Sequence, residues 1–96
     1  MPIILITSAQ IRAGRALLRW SAADLARASG VSLPTIKRLE LEQGVPSIGV
    51  GLLASIQASL EGAGVQYLGE PDRAPGVCLS STAVARQPKP RGIRRK

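Results

Sequence analysis

Residues 21–43 constrain the fold more than any other segment, because they predict two short helices joined by a glycine turn. Gly30 lies where the chain reverses, and glycine readily adopts the positive φ that such a turn needs. The side chains predicted to face inward are Leu25, Ala26, Ile36 and Leu39. Those left facing outward on the second helix are Leu33, Pro34, Lys37 and Arg38. The segment therefore predicts a compact two-helix unit with a partly basic outer surface.

Each of the first three predicted helices begins at a hydroxyl side chain that can accept a hydrogen bond from a free backbone N–H group. These N-cap residues are Thr7, Ser21 and Ser32. Gln10 stands three residues after Thr7 and predicts a capping box, in which side chain and backbone bond each other reciprocally. Pro34 falls in the first turn of its helix, where a missing N–H group costs no hydrogen bond. These signals predict three consecutive helices.

Apolar periodicity predicts where the first and fourth helices run. The first is expected from about Ser8 to Arg19, and the fourth from Pro46–Ser47 to about Ala63. The side chains expected to be buried are Ile11, Leu17 and Leu18 on the first helix and Leu52, Leu53, Ile56 and Leu60 on the fourth.

Two β-prone segments follow the helices. Val65–Leu68 and Val77–Leu79 are separated by a turn-rich stretch, so a short hairpin is predicted there. A two-stranded hairpin is marginal on its own. It therefore needs the helical core, the apolar Ile3–Ile6 segment or a second subunit to pack against.

The positive charge of the chain is concentrated at one end. The 96 residues carry a formal net charge of +7, of which six bases and no acid lie in residues 80–96. This segment has no apolar periodicity and is predicted to be a disordered tail. Its bases are predicted to contact DNA phosphates regardless of sequence, although a solubilising end without a partner is the alternative. They are Arg86, Lys89, Arg91, Arg94, Arg95 and Lys96.

The segment from Thr7 to Leu60 resembles the XRE (Cro/repressor-like) family of helix-turn-helix regulators, and Gly64–Tyr67 resembles the strand that follows in some members. The resemblance implies a mainly α fold, a lambda-repressor-like helix-turn-helix bundle of four to five helices with a short C-terminal β-hairpin and a disordered basic tail. It divides the chain into a DNA-binding domain over residues 1–64, a β appendix over 65–79 and the tail over 80–96. The appendix, together with the fourth helix, is the candidate dimerisation element.

The resemblance also implies a function. Members bind an inverted-repeat operator as a homodimer and regulate transcription, with the third helix, here residues 32–43, in the major groove. The DNA-binding positions carried over are Ser32, Leu33, Pro34, Thr35, Lys37, Arg38 and Ser21. Arg38 can donate two hydrogen bonds to guanine O6 and N7, whereas Leu33 and Pro34 suit thymine methyl groups. The alternative is that these are ordinary solvated residues of a small helical protein.

Two further positions bear on this resemblance. Many members carry a phosphate-binding glutamine directly after the cap of the second helix, but here Ser21 is followed by Ala22 and Ala23. Arg15 and Glu40 occupy the positions of an arginine–glutamate pair that orients the recognition helix in the family. The alternative for Arg15 and Glu40 is an exposed pair that contributes little to stability.

Other classes of function are disfavoured by composition. The chain has no histidine and no cluster of metal-ligating or paired acidic residues, so neither catalysis nor a metal or cofactor is expected. The lone Cys78 favours a reducing cytoplasm, where DNA binding would associate the protein with a bacterial nucleoid. The opening MPIILIT is too short for a signal peptide or a membrane span. The alternative function is a protein-interaction module on the same scaffold, similar to an antitoxin or anti-activator, that acts through a protein partner.

Overall fold

The computed structural model describes residues 5–80, which form four helices followed by one two-stranded antiparallel sheet. The elements are α1 (Ser8–Leu17), α2 (Ala22–Ser29), α3 (Leu33–Leu39), α4 (Val50–Gly62), β1 (Val65–Glu70) and β2 (Arg73–Leu79). No helix in this part of the chain is long and apolar enough to cross a membrane.

The predicted N-caps are confirmed. Thr7 and Gln10 form a capping box at the start of α1, in which the Gln10 N–H group donates to Thr7 Oγ1 at 3.0 Å. Ser21 accepts from the Asp24 N–H group at the start of α2, and Ser32 accepts from the Thr35 N–H group at the start of α3. Each such cap stabilises a helix by about 1 kcal/mol, which is why the helix starts follow from local sequence.

The prediction of a mainly α bundle of four to five helices, similar to lambda repressor, is wrong. About half of the described residues are helical, and the sheet forms part of a small compact α/β domain. The helices are shorter than their apolar patterns predict: α1 ends at Leu17, α3 ends at Leu39 and α4 begins only at Val50. The strands are longer than predicted and extend to Glu70 and back to Arg73 around a tight turn. The hairpin thus contains more residues, and the helices fewer, than the sequence pattern predicts.

The hairpin contributes side chains to the core, which explains why the domain is not a helical bundle alone. Val65 is 2 % exposed, and Tyr67, Val77 and Leu79 pack against the buried cluster formed by the helices. Val65 pairs with Leu79 and Tyr67 with Val77, so these four side chains lie on one face of the sheet. A Cβ atom at Gly14 of α1 would lie 3.3 Å from Val65 Cγ1, which shows how closely this helix approaches the sheet.

Some side chains predicted to be buried are partly exposed. Leu17 is 38 % exposed and Leu52 is 44 % exposed, whereas Ile11, Leu18, Leu53, Ile56 and Leu60 are buried as expected. Leu17 is the last residue of α1 and Leu52 lies in the first turn of α4. The apolar pattern does not distinguish a helix end from a helix interior, and burial is incomplete at these ends.

Gln10 fastens the hairpin to α1. Its Nε2 atom donates to the carbonyl oxygens of Leu68 at 3.2 Å and Gly76 at 2.9 Å, one on each strand. Its Oε1 atom accepts from the Thr7 N–H group at 2.9 Å. The side chain is 3 % exposed, so it satisfies buried polar groups on α1 and on both strands at once.

We expect Gln10→Ala to lower the free energy of unfolding by about 2–3 kcal/mol, because it leaves the buried Thr7 N–H group and two partly buried carbonyl oxygens without this partner. Thr7→Ala removes the cap and a long hydrogen bond from Thr7 Oγ1 to Gln10 Oε1, keeps the bonds of Gln10 to both strands, and is expected to cost about 1 kcal/mol. Denaturant unfolding measures both values, and amide hydrogen exchange locates the change. Q10A should reduce protection of the hairpin amides more than that of the helix amides, whereas T7A should not. Equal effects of the two variants on the hairpin would contradict this role of Gln10.

Tyr67 makes a second anchor between the hairpin and the helices. Its hydroxyl donates to the Gln57 carbonyl oxygen of α4 at 3.0 Å. Burial, with a smaller contribution from the Glu61 carboxylate, raises the pKa of Tyr67, so the phenol keeps its proton and remains a donor. The two strands are therefore held on α1 and α4 together.

Candidate nucleic-acid interface

The two-helix unit predicted from residues 21–43 is present, although α3 covers only Leu33–Leu39. Gly30 ends α2 in the left-handed conformation with φ 78°, and its N–H group donates to the Ala26 carbonyl oxygen. Ile36 and Leu39 are fully buried. The inner face of α3 is thus fixed in the core, and its outer face is free to meet a ligand.

The predicted reading residues differ in exposure. Ser32, Pro34, Lys37 and Arg38 are exposed, whereas Leu33 and Thr35 are half-buried. Ser32 Oγ donates to Thr35 Oγ1 at 2.9 Å, so the Thr35 hydroxyl keeps its own proton for an outside acceptor. The structure therefore places polar and apolar groups side by side at the start of α3.

Lys37 and Arg38 have no polar side-chain partners in the part of the chain that the structure describes. Within residues 5–80, neither side chain makes a hydrogen bond or an ion pair. Arg19 and Arg73 are in the same state, whereas the other arginines of the described part are engaged: Arg12 by the Glu40 carbonyl oxygen, Arg15 by the Glu40 carboxylate and Arg27 by Asp24. Among the described residues, the outer face of α3 thus carries two adjacent cations that form no ion pair.

The structure brings Arg15 and Glu40 together in a two-pronged ion pair. Arg15 Nε lies 2.9 Å from Glu40 Oε2, and Nη2 lies 2.9 Å from Oε1. Glu40 is 7 % exposed, so the pair is shielded from water on the carboxylate side. The third nitrogen, Nη1, donates to the Trp20 carbonyl oxygen at 3.0 Å. One guanidinium therefore joins α1, the α1–α2 corner and the end of α3.

Two more residues of α1 hold the end of α3, and the sequence analysis did not single them out for this. Arg12 donates to the Glu40 carbonyl oxygen, and Ser8 Oγ donates to the Leu39 carbonyl oxygen at 2.6 Å. The spacing of Arg12 and Arg15, one helical turn apart, is a signal that they share a face. The acceptors of Ser8 and Arg12 are backbone carbonyl oxygens, and such acceptors cannot be recognised from residue types. The carboxyl end of α3 is consequently fixed by three side chains of α1.

Ser21 is exposed but largely committed to its own helix. Its Oγ accepts from the Asp24 N–H group at 3.0 Å, and its N–H group donates to Asp24 Oδ2 at 2.8 Å. Only the hydroxyl proton remains for a phosphate. Ala22 and Ala23 follow without polar side-chain atoms, so the start of α2 offers few side-chain groups to DNA.

The predicted tail contacts lie outside the described residues. They are Arg86, Lys89, Arg91, Arg94, Arg95 and Lys96. Among residues 5–80, no group of three or more potential ligands is arranged to hold a metal ion.

Comparison with other proteins does not assign the chain. No protein-family model matches its sequence, and no curated protein is similar enough to count as a relative. The geometry of α2, α3 and the residues that hold them is therefore what bears on the function of the chain.

Proposed function

We propose that the protein binds double-stranded DNA sequence-specifically, with α3 in the major groove, and thereby regulates transcription. The observation that carries this proposal is the pair of exposed, unpartnered cations on a helix held in the core by Ile36 and Leu39. A rigid helix that presents cations outward meets the requirement of groove recognition, in which phosphate contacts position the helix and base contacts select the sequence.

The side chains of α3 divide this work. Arg38 donates two parallel hydrogen bonds to a guanine edge, a contact that discriminates by about 1–3 kcal/mol. Lys37 binds a phosphate or a base acceptor, and Thr35 offers its hydroxyl proton. Leu33 and Pro34 contact thymine methyl groups. The contacts of Ser8, Arg12 and Arg15 with the end of α3 keep these side chains in one orientation. Little ordering of α3 is therefore needed when DNA binds.

The proposal includes a homodimer on an inverted repeat. A seven-residue helix reads only a few base pairs. Two copies related by a two-fold axis double the site and set their α3 helices about 34 Å apart, one turn of DNA. The tail, with its six cations, adds attraction to DNA of any sequence. The resemblance to XRE regulators supports the same assignment.

One observation favours a second function, binding of a protein partner. Leu41 is 86 % exposed, and Val50 and Leu52 near the start of α4 are 60 % and 44 % exposed. Large apolar side chains that remain exposed are available to a protein partner. A module that acts through a protein partner would use this region and would not need Lys37 or Arg38.

The test is an unbiased selection of duplex DNA by the purified full-length chain, with the bound pool sequenced. Selection at about 0.3 M salt weakens the contacts of the tail, because phosphate contacts lose affinity as salt rises. We expect enrichment of a short two-fold symmetric motif. A folded protein that enriches no motif at any salt concentration would contradict the proposal and favour the protein partner.

A further inference from the structure

Helix α1 ends in a backbone conformation that glycine adopts more easily than any other residue, yet an arginine occupies it. Arg19 has φ 60°, in the left-handed region. Its N–H group donates to the Ala16 carbonyl oxygen at 3.0 Å, and the Trp20 N–H group donates to the Arg15 carbonyl oxygen at 2.9 Å. These two bonds form the Schellman motif, whose left-handed position favours glycine because a Cβ atom is strained there.

The two backbone hydrogen bonds hold this conformation, but within residues 5–80 no polar contact of the Arg19 side chain does so. Arg19 is exposed, and its guanidinium has no hydrogen-bond or ion-pair partner among residues 5–80. Arg27, by contrast, is exposed but paired with Asp24. Among residues 5–80, the side chain of Arg19 thus makes no polar contact that explains an arginine at a glycine-like position, and we look for its partner in a bound ligand.

The position of Arg19 indicates what that contact is. Arg15 donates to the carbonyl oxygen of Trp20, the next residue, and the same guanidinium holds the Glu40 carboxylate. Glu40 follows Arg38 by two residues. The corner that carries Arg19 therefore lies beside the end of α3, and it directly precedes the start of α2. A DNA duplex seated on α3, as in the proposed function, would extend along the surface next to this corner.

We propose that Arg19 binds a backbone phosphate of the DNA held by α3. This inference rests on the proposed function. A guanidinium binds phosphate oxygens through two parallel hydrogen bonds, and it stays charged at any physiological pH. It supplies, from the corner before α2, the phosphate contact that Ala22 and Ala23 cannot make. The contact strengthens binding to all sequences and leaves base preference to α3.

The test compares Arg19→Asn with Arg73→Asn in the full-length chain. Both variants lose one exposed, unpartnered cation, and Arg73 lies at the turn of the hairpin. Asparagine also tolerates the left-handed conformation. Binding to the selected duplex and to a scrambled duplex is measured by fluorescence anisotropy between about 0.05 and 0.3 M salt. We expect R19N to bind both duplexes roughly five- to tenfold more weakly and to reduce the salt slope by about 0.9, the value of one phosphate. R73N should match the wild type.

A third variant tests the strain directly. Arg19→Gly should raise Tm by about 4–8 °C, because it relieves the left-handed side chain, while it weakens DNA binding as R19N does. If R19N and R73N bind with the affinity and salt slope of the wild type, the phosphate contact is refuted while sequence-specific binding stands. If the wild type does not prefer the selected duplex, the proposed function fails. A smaller salt slope of R19N on the scrambled duplex would then show a phosphate contact of Arg19 that does not depend on α3, and the contact as proposed here would be refuted.

Discussion

Reversal of both charges on the outer face of α3, by Lys37→Glu together with Arg38→Glu, is expected to abolish sequence-specific DNA binding. We expect affinity for the selected duplex to fall by at least about 100-fold. The double variant loses a guanine contact of about 1–3 kcal/mol, and its carboxylates repel the phosphates that the cations attracted. Fluorescence anisotropy at a fixed salt concentration measures the loss.

The same variant should remain folded, since neither side chain has a partner within the described residues. Substitutions at such surface positions change stability by about 0.5 kcal/mol or less. A thermal melt checks this, and Arg73→Glu provides a charge reversal on the hairpin that should spare the preference for the selected motif. A folded double variant that binds the selected duplex within threefold of the wild type would rule out α3 as the reading helix. Regulation retained by that variant would favour the protein-partner function.

Loss of one partner of the Arg15–Glu40 pair is expected to give the largest change in stability. We expect Glu40→Ala to lower the free energy of unfolding by about 2–4 kcal/mol, since it leaves a partly buried guanidinium without its carboxylate. The Arg15 side chain is 24 % exposed, so water recovers part of the cost. Denaturant unfolding gives the value. The variant should also bind DNA more weakly, because the end of α3 is no longer held.

A double-mutant cycle measures the interaction energy between Arg15 and Glu40 apart from their other contacts. Arg15→Ala, Glu40→Ala and the double variant are compared, and the double variant should be little worse than the more damaging single one. Additive effects would show that the two side chains stabilise the protein independently. Arg27→Ala is the control, since it removes an arginine from an exposed ion pair with Asp24 and should cost less than about 1 kcal/mol.

The starts of α1, α2 and α3 could be predicted from the sequence, whereas the ends of α1 and α3 and the start of α4 could not. Thr7 and Gln10, like Ser21 and Asp24, interact over three residues, so their pairing is written in adjacent sequence. The end of α3 is determined by distant residues instead. Glu40 turns its carboxylate to Arg15, 25 positions earlier, and Leu41 beyond it is 86 % exposed. From the sequence alone, apolar Leu41 suggests that α3 continues. The contacts of Glu40 with α1 show that it does not.

The fold class was mispredicted for a related reason. Val65, Tyr67, Val77 and Leu79 could be recognised as β-prone, but their burial depends on the surface that α1 presents. Gly14 leaves room for Val65, and the amide of Gln10 reaches both strands. Neither residue type indicates a sheet contact. Lys37 and Arg38 could be proposed from the sequence, whereas the lack of partners around Arg19 becomes visible only in three dimensions.

The hydrogen bonds of Gln10 to the hairpin can form only late in the synthesis of the chain. Its acceptors, Leu68 and Gly76, lie 58 and 66 positions further along the chain. At about 5–20 residues per second, a ribosome adds them roughly 3–13 seconds after Gln10. Until the hairpin is complete, any part of α1 that has left the ribosome lacks the cover that Val65 of β1 gives to the surface around Gly14. A codon change that slowed translation of the hairpin would prolong this exposure and offer chaperones and proteases a longer encounter, without altering a single residue.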